Sequence, residues 1–577
     1  MGIFNFKKKI SFWGCLFFLF ILYFKNISDL VMPAICMDEI GYWANAAFWN
    51  GWNWSSVMSN FAPYYSYGYS VILFLLMKLF KDPFILHQAA IMMNIVMIVC
   101  GYCIMTWIVK RFFFQVDETI RNIICLIPFF YPSIQHHTQV AWTETYLFLL
   151  FLISIVLLIR VLEKGKTIYY FLFALVLMDM YITHQRSIAI VIIGSGLLFV
   201  VTVLKRDRWK QIGIFAIVII LCVVGSSLIK KSIYENVYTN IAMEDEPDVE
   251  HELADINDFQ GQVGKLQYIF SKEGVGNLLI SFFGKVYYFI VASFMMGGLG
   301  LWYLVYGIIK YIRNRSYDNL EGLVFCYILG AYLGTTLIAA IFMIYPSRLD
   351  TVAYGRYTDW IGIIIITFGL FNLLLSGTKE KAKMILPQVI FCLFFLLVFE
   401  NYVEKYNVSS FFPTCSPIFS YFSYQVADTK TLLMYMTKTM ITGGVIIGII
   451  ALVKHSFLKI MLVTVFLIHF WTNVTALAID DIISLQHEKE VCPIVEYVQE
   501  VPDKQIYYLY DDTSCNMSNL WTGSIQYFLL DRSLYCIKDM NRIKEDSIII
   551  ICENVSVPQG YVVECETAFY KVIRKDF

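Results

Sequence analysis

Charge is what this chain has least of. Asp, Glu, Lys and Arg make up 15% of its 577 residues and hydrophobic residues 58%, where an ordinary soluble domain is about 25% charged. That excludes a soluble globular protein and predicts a polytopic α-helical membrane protein. Neither sign of charge dominates: the formal net charge is −1, so there is no cationic surface for a nucleic acid and no nucleic-acid partner is expected. Other absences narrow the reading further. No small-residue cleavage site follows the apolar run behind Lys7-Lys8-Lys9, so the first span is expected to remain as an anchor. No internal repeat is evident. The 14 cysteines are scattered, and Cys492, Cys515, Cys536, Cys552 and Cys565 in the tail are too loosely spaced to form a disulfide framework.

What is present is a succession of apolar runs. Spans are expected near 10–31, 84–110, 121–135, 145–162, 168–183, 188–204, 211–229, 284–309, 318–343, 357–375, 384–400, 433–453 and 456–479, about thirteen in all. With that count, Lys110-Arg111, Arg160/Lys164/Lys166, Lys205-Arg206/Arg208/Lys210, Lys310/Arg313/Arg315, Lys379/Lys381/Lys383 and Lys454 all fall on one side. The positive-inside rule makes that side cytoplasmic, together with the N-terminus. Lys230-Lys231 departs from the pattern at the start of a long loop, where charge counts for less. Tyr67–Phe80, at about 14 residues against the roughly 20 a crossing needs, is expected to be a juxtamembrane or re-entrant helix on the outer face.

The long loops then lie outside, at 32–83, 230–283, 344–356 and 401–432, along with the tail. A protein of a bacterial plasma membrane that spends its non-membrane residues outside is expected to work there. Two parts are predicted: a bundle over 1–480 with major outer loops 32–83 and 230–283, and a small extracytoplasmic α/β domain over 481–577. In the latter, Gln505–Tyr510, Ser547–Cys552 and Tyr561–Cys565 read as strands, and Pro493–Val498 and Asn516–Leu530 as helices. The tail shows no metal-ligand spacing, no phosphate loop and no Ser-His-Asp arrangement, so its expected role is to pack on the outer loops and cover a site. The acidic stretch Glu244–Asp258 reads as a mobile loop.

The scarce charges gather at the outer ends of the spans. Asp38-Glu39 follows the first span directly, and it is flanked by aromatic interfacial residues (Tyr42, Trp43, Phe48, Trp49, Trp52, Trp54) rather than by more charge. The same loop closes with Pro63-Tyr64-Tyr65. Later outer turns carry His136-His137 with Glu144, then His184-Gln185-Arg186, Arg348 and Arg356. Each alone reads as a solvated cap or a headgroup contact. The histidine pair lacks further metal-ligand spacing, whereas the forked guanidinium of arginine suits phosphate oxygens.

The acid pair after the first span, the aromatic loop ending in Pro63-Tyr64-Tyr65, Glu144 at the start of a later span, and a many-span bundle followed by an outer domain resemble the GT-C membrane glycosyltransferases. These include protein O-mannosyltransferases and lipid A aminoarabinose transferases. The motifs cover about the first 190 residues, and the remainder is similar in architecture only. The resemblance implies a GT-C-like fold and a transferase that takes a sugar from a polyprenyl-phosphate or polyprenyl-diphosphate donor to a glycan, lipid or protein acceptor. It implies Asp38 as base, with Glu39 supporting it or joining it in holding Mg²⁺ or Mn²⁺. Glu144, His136 and His137 would position acceptor or metal, and Arg356, Arg348 and Arg186 would hold the donor phosphate. Family members often carry Asp where this chain has Glu144. Two other classes stay open: a transporter or flippase of lipid-linked sugars, for which Asp179 is the main intramembrane charge, and a surface-polysaccharide polymerase or ligase relying on the outer arginines.

Overall fold

The computed structural model describes residues 2–25, 27–34, 36–239, 256, 262–314, 319–346, 351–408, 429–452, 489–502, 504–510, 516–553 and 555–575. The expected span 456–479, the acidic stretch 244–258 (Ile256 apart) and Arg348 lie outside these residues. Among the described residues, 7 helices are long and apolar enough to cross a membrane. Shorter apolar helices, including Thr167–Thr183 and Asp359–Leu375, pack among them. The chain is an integral, multi-pass membrane protein.

Local chemistry sets the helix ends. Asp82 caps Pro83–Phe112 by accepting from the Ile85 N–H at 2.9 Å, with Pro83 at the first position, where its missing N–H costs nothing. Thr143–Lys164 stops at Gly165, whose left-handed φ of +61° is open to glycine without strain. Gly68–Leu79 forms a helix of 12 residues, too short to cross and apolar on an exposed face at Val71, Leu75 and Leu79. A short apolar helix is thus present where the sequence predicts one.

Two expected spans are broken. The run 121–135 divides into Glu118–Leu126, a 3₁₀ turn Ile127–Phe130 and Pro132–Thr138. Pro128 and Pro132 each remove an N–H donor and crowd the preceding turn, so one continuous helix cannot form. The run 284–309 divides at Ser293 into Lys272–Ala292 and Met296–Arg313, because Phe294 and Met295 both adopt left-handed φ, 50° and 65°. Hydropathy reports the apolar run and is blind to both interruptions.

The bundle has two chemically distinct ends. At one, Arg111 donates to Glu163 at 2.7 Å, Arg160 lies over Trp107, and Arg208 donates to the Val161 carbonyl at 2.9 Å. Three of the basic clusters thus converge. The opposite end of the bundle carries Glu144, Gln185-Arg186 and Phe342, and the segment Thr351–Thr358 lies beside them.

The C-terminal domain sits at this second end. Its five strands, β1 (Ile506–Leu509), β2 (Leu534–Ile537), β3 (Ile548–Cys552), β4 (Tyr561–Glu566) and β5 (Tyr570–Lys575), form one sheet of order β2-β1-β3-β5-β4. β1 runs parallel to β2 and β3, and β5 antiparallel to β3 and β4. The inner parallel strands read Ile-Tyr-Tyr-Leu and Ile-Ile-Ile-Ile-Cys and are buried throughout, as two-sided coverage requires. Helix Asn516–Leu529 covers the sheet and docks on the first outer loop. Tyr527 stacks edge-on against Trp43, the Trp54 indole donates to the Leu530 carbonyl at 2.7 Å, and Tyr510 donates to Asn60 at 2.8 Å. Cys552 is disulfide-bonded, a pairing that the tail's spacing does not reveal.

Candidate active site

The centre of the site is a carboxylate–arginine–carboxylate bridge. Helix Cys36–Trp49 places Asp38 and Glu39 in its first turn, where carboxylates are favoured by the helix dipole. Consecutive helical residues point about 100° apart, and the two acids face different surroundings. Asp38 turns outward to Arg356: the guanidinium Nη1 donates to Asp38 Oδ2 while Nε donates to Glu144 Oε1 at 2.6 Å. Glu144 and Arg356 are 1% and 6% exposed, whereas Asp38 is 39% exposed, because it borders a cavity. The Arg356 guanidinium lies 4.0 Å from the Trp142 ring centroid, so an aromatic face backs the bridge.

Asp38 is held from its other side by Tyr65, whose hydroxyl donates to Oδ1 at 2.6 Å. This contact depends on Gly41, one turn along the same helix. A Cβ there would lie 2.0 Å from the Tyr65 ring, so only glycine lets the tyrosine lie flat against the helix. Asn45 secures the same segment by donating to the Tyr65 carbonyl at 3.1 Å. Burial works to raise the Asp38 pKa, but Arg356 and the Tyr65 hydroxyl outweigh it and hold the carboxyl below its usual value.

The cavity measures about 200 Å³ and is lined on its polar side by Asp38, Tyr42, Tyr65, Arg186 and Arg356. Its apolar side comes from Leu266, Ile338, Ile341 and Phe342, the last three at the end of a candidate span. Arg186 is stacked between aromatic rings, 3.5 Å from the Tyr357 centroid and 4.0 Å from that of Phe342. His184 Nε2 lies 3.1 Å from its Nη1. Burial and the two nearby guanidiniums, Arg186 and Arg356, push His184 far below the usual histidine range, so it faces the cavity neutral.

Glu39 is placed elsewhere. It is fully buried, and both its oxygens are engaged: Oε1 by the Ala141 N–H at 2.8 Å and His87 Nε2 at 2.9 Å, Oε2 by the Ala34 N–H at 3.0 Å. His87 Nδ1 meets the Leu30 carbonyl at 2.9 Å. Glu39 therefore ties the end of the first helix and the approach to Glu144 onto the helix that carries Asp38. The donor set does not fit a divalent cation shared by Asp38 and Glu39, since the two carboxylates diverge and one is already saturated. No group of three or more metal-ligating side chains occurs among the described residues.

His136 and His137 do not reach the cavity. Both rings pack against Trp142, at 5.4 and 5.3 Å, and His137 Nε2 pairs with Ser133 Oγ at 3.1 Å. Burial, with a lesser contribution from Arg356, brings the His136 pKa down to about 4, and His137 is also well below its usual range. Their place is behind the indole on which Arg356 rests. The structure thus brings together Asp38, Glu144, Arg356 and Arg186, sets Glu39 and the histidine pair behind them, and leaves Arg348 outside the described residues.

Sequence reasoning overlooked the contributions of Gly41 and His87, and it took Tyr65 only as part of the Pro63-Tyr64-Tyr65 motif, without a role. For His87 a signal existed, a histidine in the first turn of an apolar span. Nothing singles out Gly41, one of 32 glycines.

No protein-family model matches the sequence, and no curated protein is similar to it. Among solved structures, the fold is similar to ArnT from Cupriavidus metallidurans bound to undecaprenyl phosphate, with a TM-score of 0.49 and 10% identity over 98% of this chain and 97% of that one. It is also similar to apo ArnT from Cupriavidus metallidurans, with a TM-score of 0.47 and 11% identity over 96% and 97% of the two chains.

Proposed function

We propose that the chain is a membrane glycosyltransferase, moving a sugar from a polyprenyl-phosphate-linked donor to an acceptor at the extracytoplasmic face. The observation that carries this reading is the cavity: a positioned carboxylate and an arginine that pairs with no described acid border one space, which also has an apolar side built mainly by Ile338, Ile341 and Phe342 at the end of a candidate span. A donor with an isoprenoid tail and a phosphorylated sugar needs that combination. Placing the site outside follows from the basic clusters at the opposite end of the bundle.

The acceptor hydroxyl attacks the anomeric carbon, the bond from that carbon to the phosphate oxygen breaks, and polyprenyl phosphate leaves with the electron pair. Asp38 accepts the hydroxyl proton. Its lowered pKa suits late proton transfer, when an oxocarbenium-like sugar has already made the attacking hydroxyl acidic. Direct displacement of this kind inverts the anomeric centre. Arg356, with Glu144 behind it, orients Asp38. Because two carboxylates already offset Arg356, Arg186 is the arginine assigned to the leaving phosphate. The mechanism needs no cation, in keeping with the divergence of Asp38 and Glu39.

Asp179 weighs against the transporter reading, because it accepts from the Tyr146 hydroxyl at 2.6 Å and so joins two helices of the bundle. The test is to incorporate purified protein in liposomes with a labelled polyprenyl-phosphate sugar. Release of polyprenyl phosphate supports transfer, while movement of the intact donor between leaflets without cleavage supports a flippase.

A further inference from the structure

The first outer loop builds a second cavity, apart from the one that Asp38 borders. Its volume is about 230 Å³, and Phe48, Trp52, Asn53, Trp54 and Asn236 are among the residues that line it. Helix Cys36–Trp49 ends there in a tight turn, where the Gly51 and Trp52 N–H groups donate to the Phe48 and Ala47 carbonyls, both at 3.0 Å. That closure brings Trp52 back beside Phe48. The opposite wall comes from the single turn Tyr234–Tyr238: Asn236 and Val237 line this cavity, while Tyr234 and Tyr238 pack on Tyr64, which lines the Asp38 cavity. The two spaces are neighbours.

We propose that this second cavity is an acceptor subsite for a neutral glycan, gripping a sugar unit a short way back from the hydroxyl that receives the transferred residue. The inference rests on the transferase reading above and deepens it by naming the acceptor class. Asp38 and Phe48 lie on one helix, about 15 Å apart along its axis. An acceptor that reaches both is an oligosaccharide rather than a single sugar.

The lining has the chemistry of a sugar site. Trp43, Trp49 and Trp54 of this loop each stack edge-on against another aromatic ring. Trp52 and Phe48 are half-buried and, among the described residues, stack on none. Their flat apolar surfaces suit the C–H face of a pyranose. Asn53 Oδ1 receives the Ser55 N–H and hydroxyl at 3.0 and 2.7 Å, which fixes the amide and leaves its exposed Nδ2 to donate outward. Asn236 Nδ2 donates to the Ser232 carbonyl at 2.7 Å, which leaves its Oδ1 to accept. One fixed donor and one fixed acceptor can pair with neighbouring sugar hydroxyls. Charge narrows the ligand further. None of the described residues lining this cavity is ionisable, whereas Asp38, Arg186 and Arg356 line the first. Lys81 Nζ lies 5.5 Å from the Trp52 centroid and donates to the Met77 carbonyl at 3.0 Å, so it braces the indole rather than lining the space. A phosphorylated headgroup would find no cation in this lining.

The test immobilises the neutral glycan fraction of the source cell's surface and measures binding of the full chain in detergent. Glycerol phosphate, a mimic of a lipid headgroup, serves as the rival competitor. Wild type is expected to bind the glycan, undisturbed by glycerol phosphate. Trp52→Ala should weaken binding about tenfold or more, and Trp52→Phe, which keeps a ring, by less than about threefold. Asn53→Ser keeps an oxygen for the Ser55 N–H but removes the amide donor, and it should weaken binding about fivefold. Unchanged thermal midpoints check that the variants are folded; should Trp52→Ala fail to fold, Asn53→Ser decides. Binding no better than to a blank support, or a folded Trp52→Ala within about twofold of wild type, would overturn the proposal. Displacement by glycerol phosphate would overturn it in favour of a headgroup site. Release of polyprenyl phosphate by a protein that binds no glycan removes the acceptor subsite alone. Trp52-dependent glycan binding by a protein that never cleaves the donor upholds the glycan site and removes the transferase reading.

Discussion

Arg356 reaches Asp38 across 318 residues of sequence. One acid opens the first outer loop, and the arginine closes the loop before the helix Asp359–Leu375, yet they share a hydrogen bond that Glu144 completes from a third element. Glu144 is 1% exposed, so removing Arg356 would strand a buried carboxylate and leave Asp38 free to rotate. Lysine at position 356 keeps the charge but offers one nitrogen where two are used, and it cannot span both acids. Arg356→Lys is therefore expected to cut the rate of sugar transfer about 100-fold, mainly through misplacement of Asp38. Polyprenyl-phosphate affinity should change by less than about threefold, because that anion is assigned to Arg186. Steady-state kinetics alongside equilibrium binding separate the two effects.

Gly41 and Tyr65 make a second prediction. The methyl group of Gly41→Ala would intrude to 2.0 Å from the Tyr65 ring and drive the hydroxyl off Asp38. Tyr65→Phe removes the same hydrogen bond without moving the backbone. Each is expected to lower transfer about tenfold, in line with loss of one hydrogen bond to a charged group. Because both act through one contact, the double variant should be no slower than the slower single one. Additive losses in a double-mutant cycle would show that Gly41 acts by another route.

Glu39 is predicted to matter for stability more than for chemistry. Its two oxygens receive two backbone N–H groups and the His87 ring in a fully buried setting. Glu39→Gln presents an N–H where an acceptor is needed, and the expected cost is about 3 kcal/mol or more. His87→Ala should destabilise in the same direction. A lowered thermal midpoint, with residual activity in the surviving folded fraction, is the signature to look for in a detergent-solubilised melt.

The sequence carried the larger features well. Spans at 84–110, 145–162 and 318–343, the short apolar helix after Tyr67, and strands around Ile506 and Ile548 follow from hydropathy and period alone. The acid–arginine cluster was legible as a set of scarce charges at one end of the bundle, though not as pairs. Which carboxylate faces the cavity depends on helix phase and on contacts made more than a hundred residues away, such as that of Glu39 with Ala141. Strands β2 and β5 escaped notice because Leu534–Ile537 is followed at once by Lys538-Asp539 and Tyr570–Lys575 ends in charge. Helix breaks at Pro128 and Phe294 lie inside apolar runs that average as hydrophobic whether or not they are continuous.

Stability is expected to rise on the alkaline side. Lys265 titrates at about 8, below the usual 10.5 of lysine, because burial and then the charge of Arg186 disfavour its protonated form. Between about 8 and 10.5 the unfolded chain holds a proton that the folded chain has released, so this group makes the fold more stable as pH rises through that window. Asp38 behaves differently: its pKa lies below the usual 3.8, so its contribution to stability is present above that value and is lost only as pH falls further. Lys265→Met, which has no proton to lose, should abolish this alkaline gain in thermal midpoint and leave the contribution of Asp38 unchanged.

The role given to Asp38 is tested most directly by single-turnover release of polyprenyl phosphate from a labelled lipid-linked sugar, comparing wild type with Asp38→Asn in the same liposomes. Asparagine keeps the shape of the side chain but cannot take the acceptor's proton, and the expected loss is at least about 100-fold with polyprenyl-phosphate affinity preserved. Release by Asp38→Asn at the wild-type rate would contradict the account.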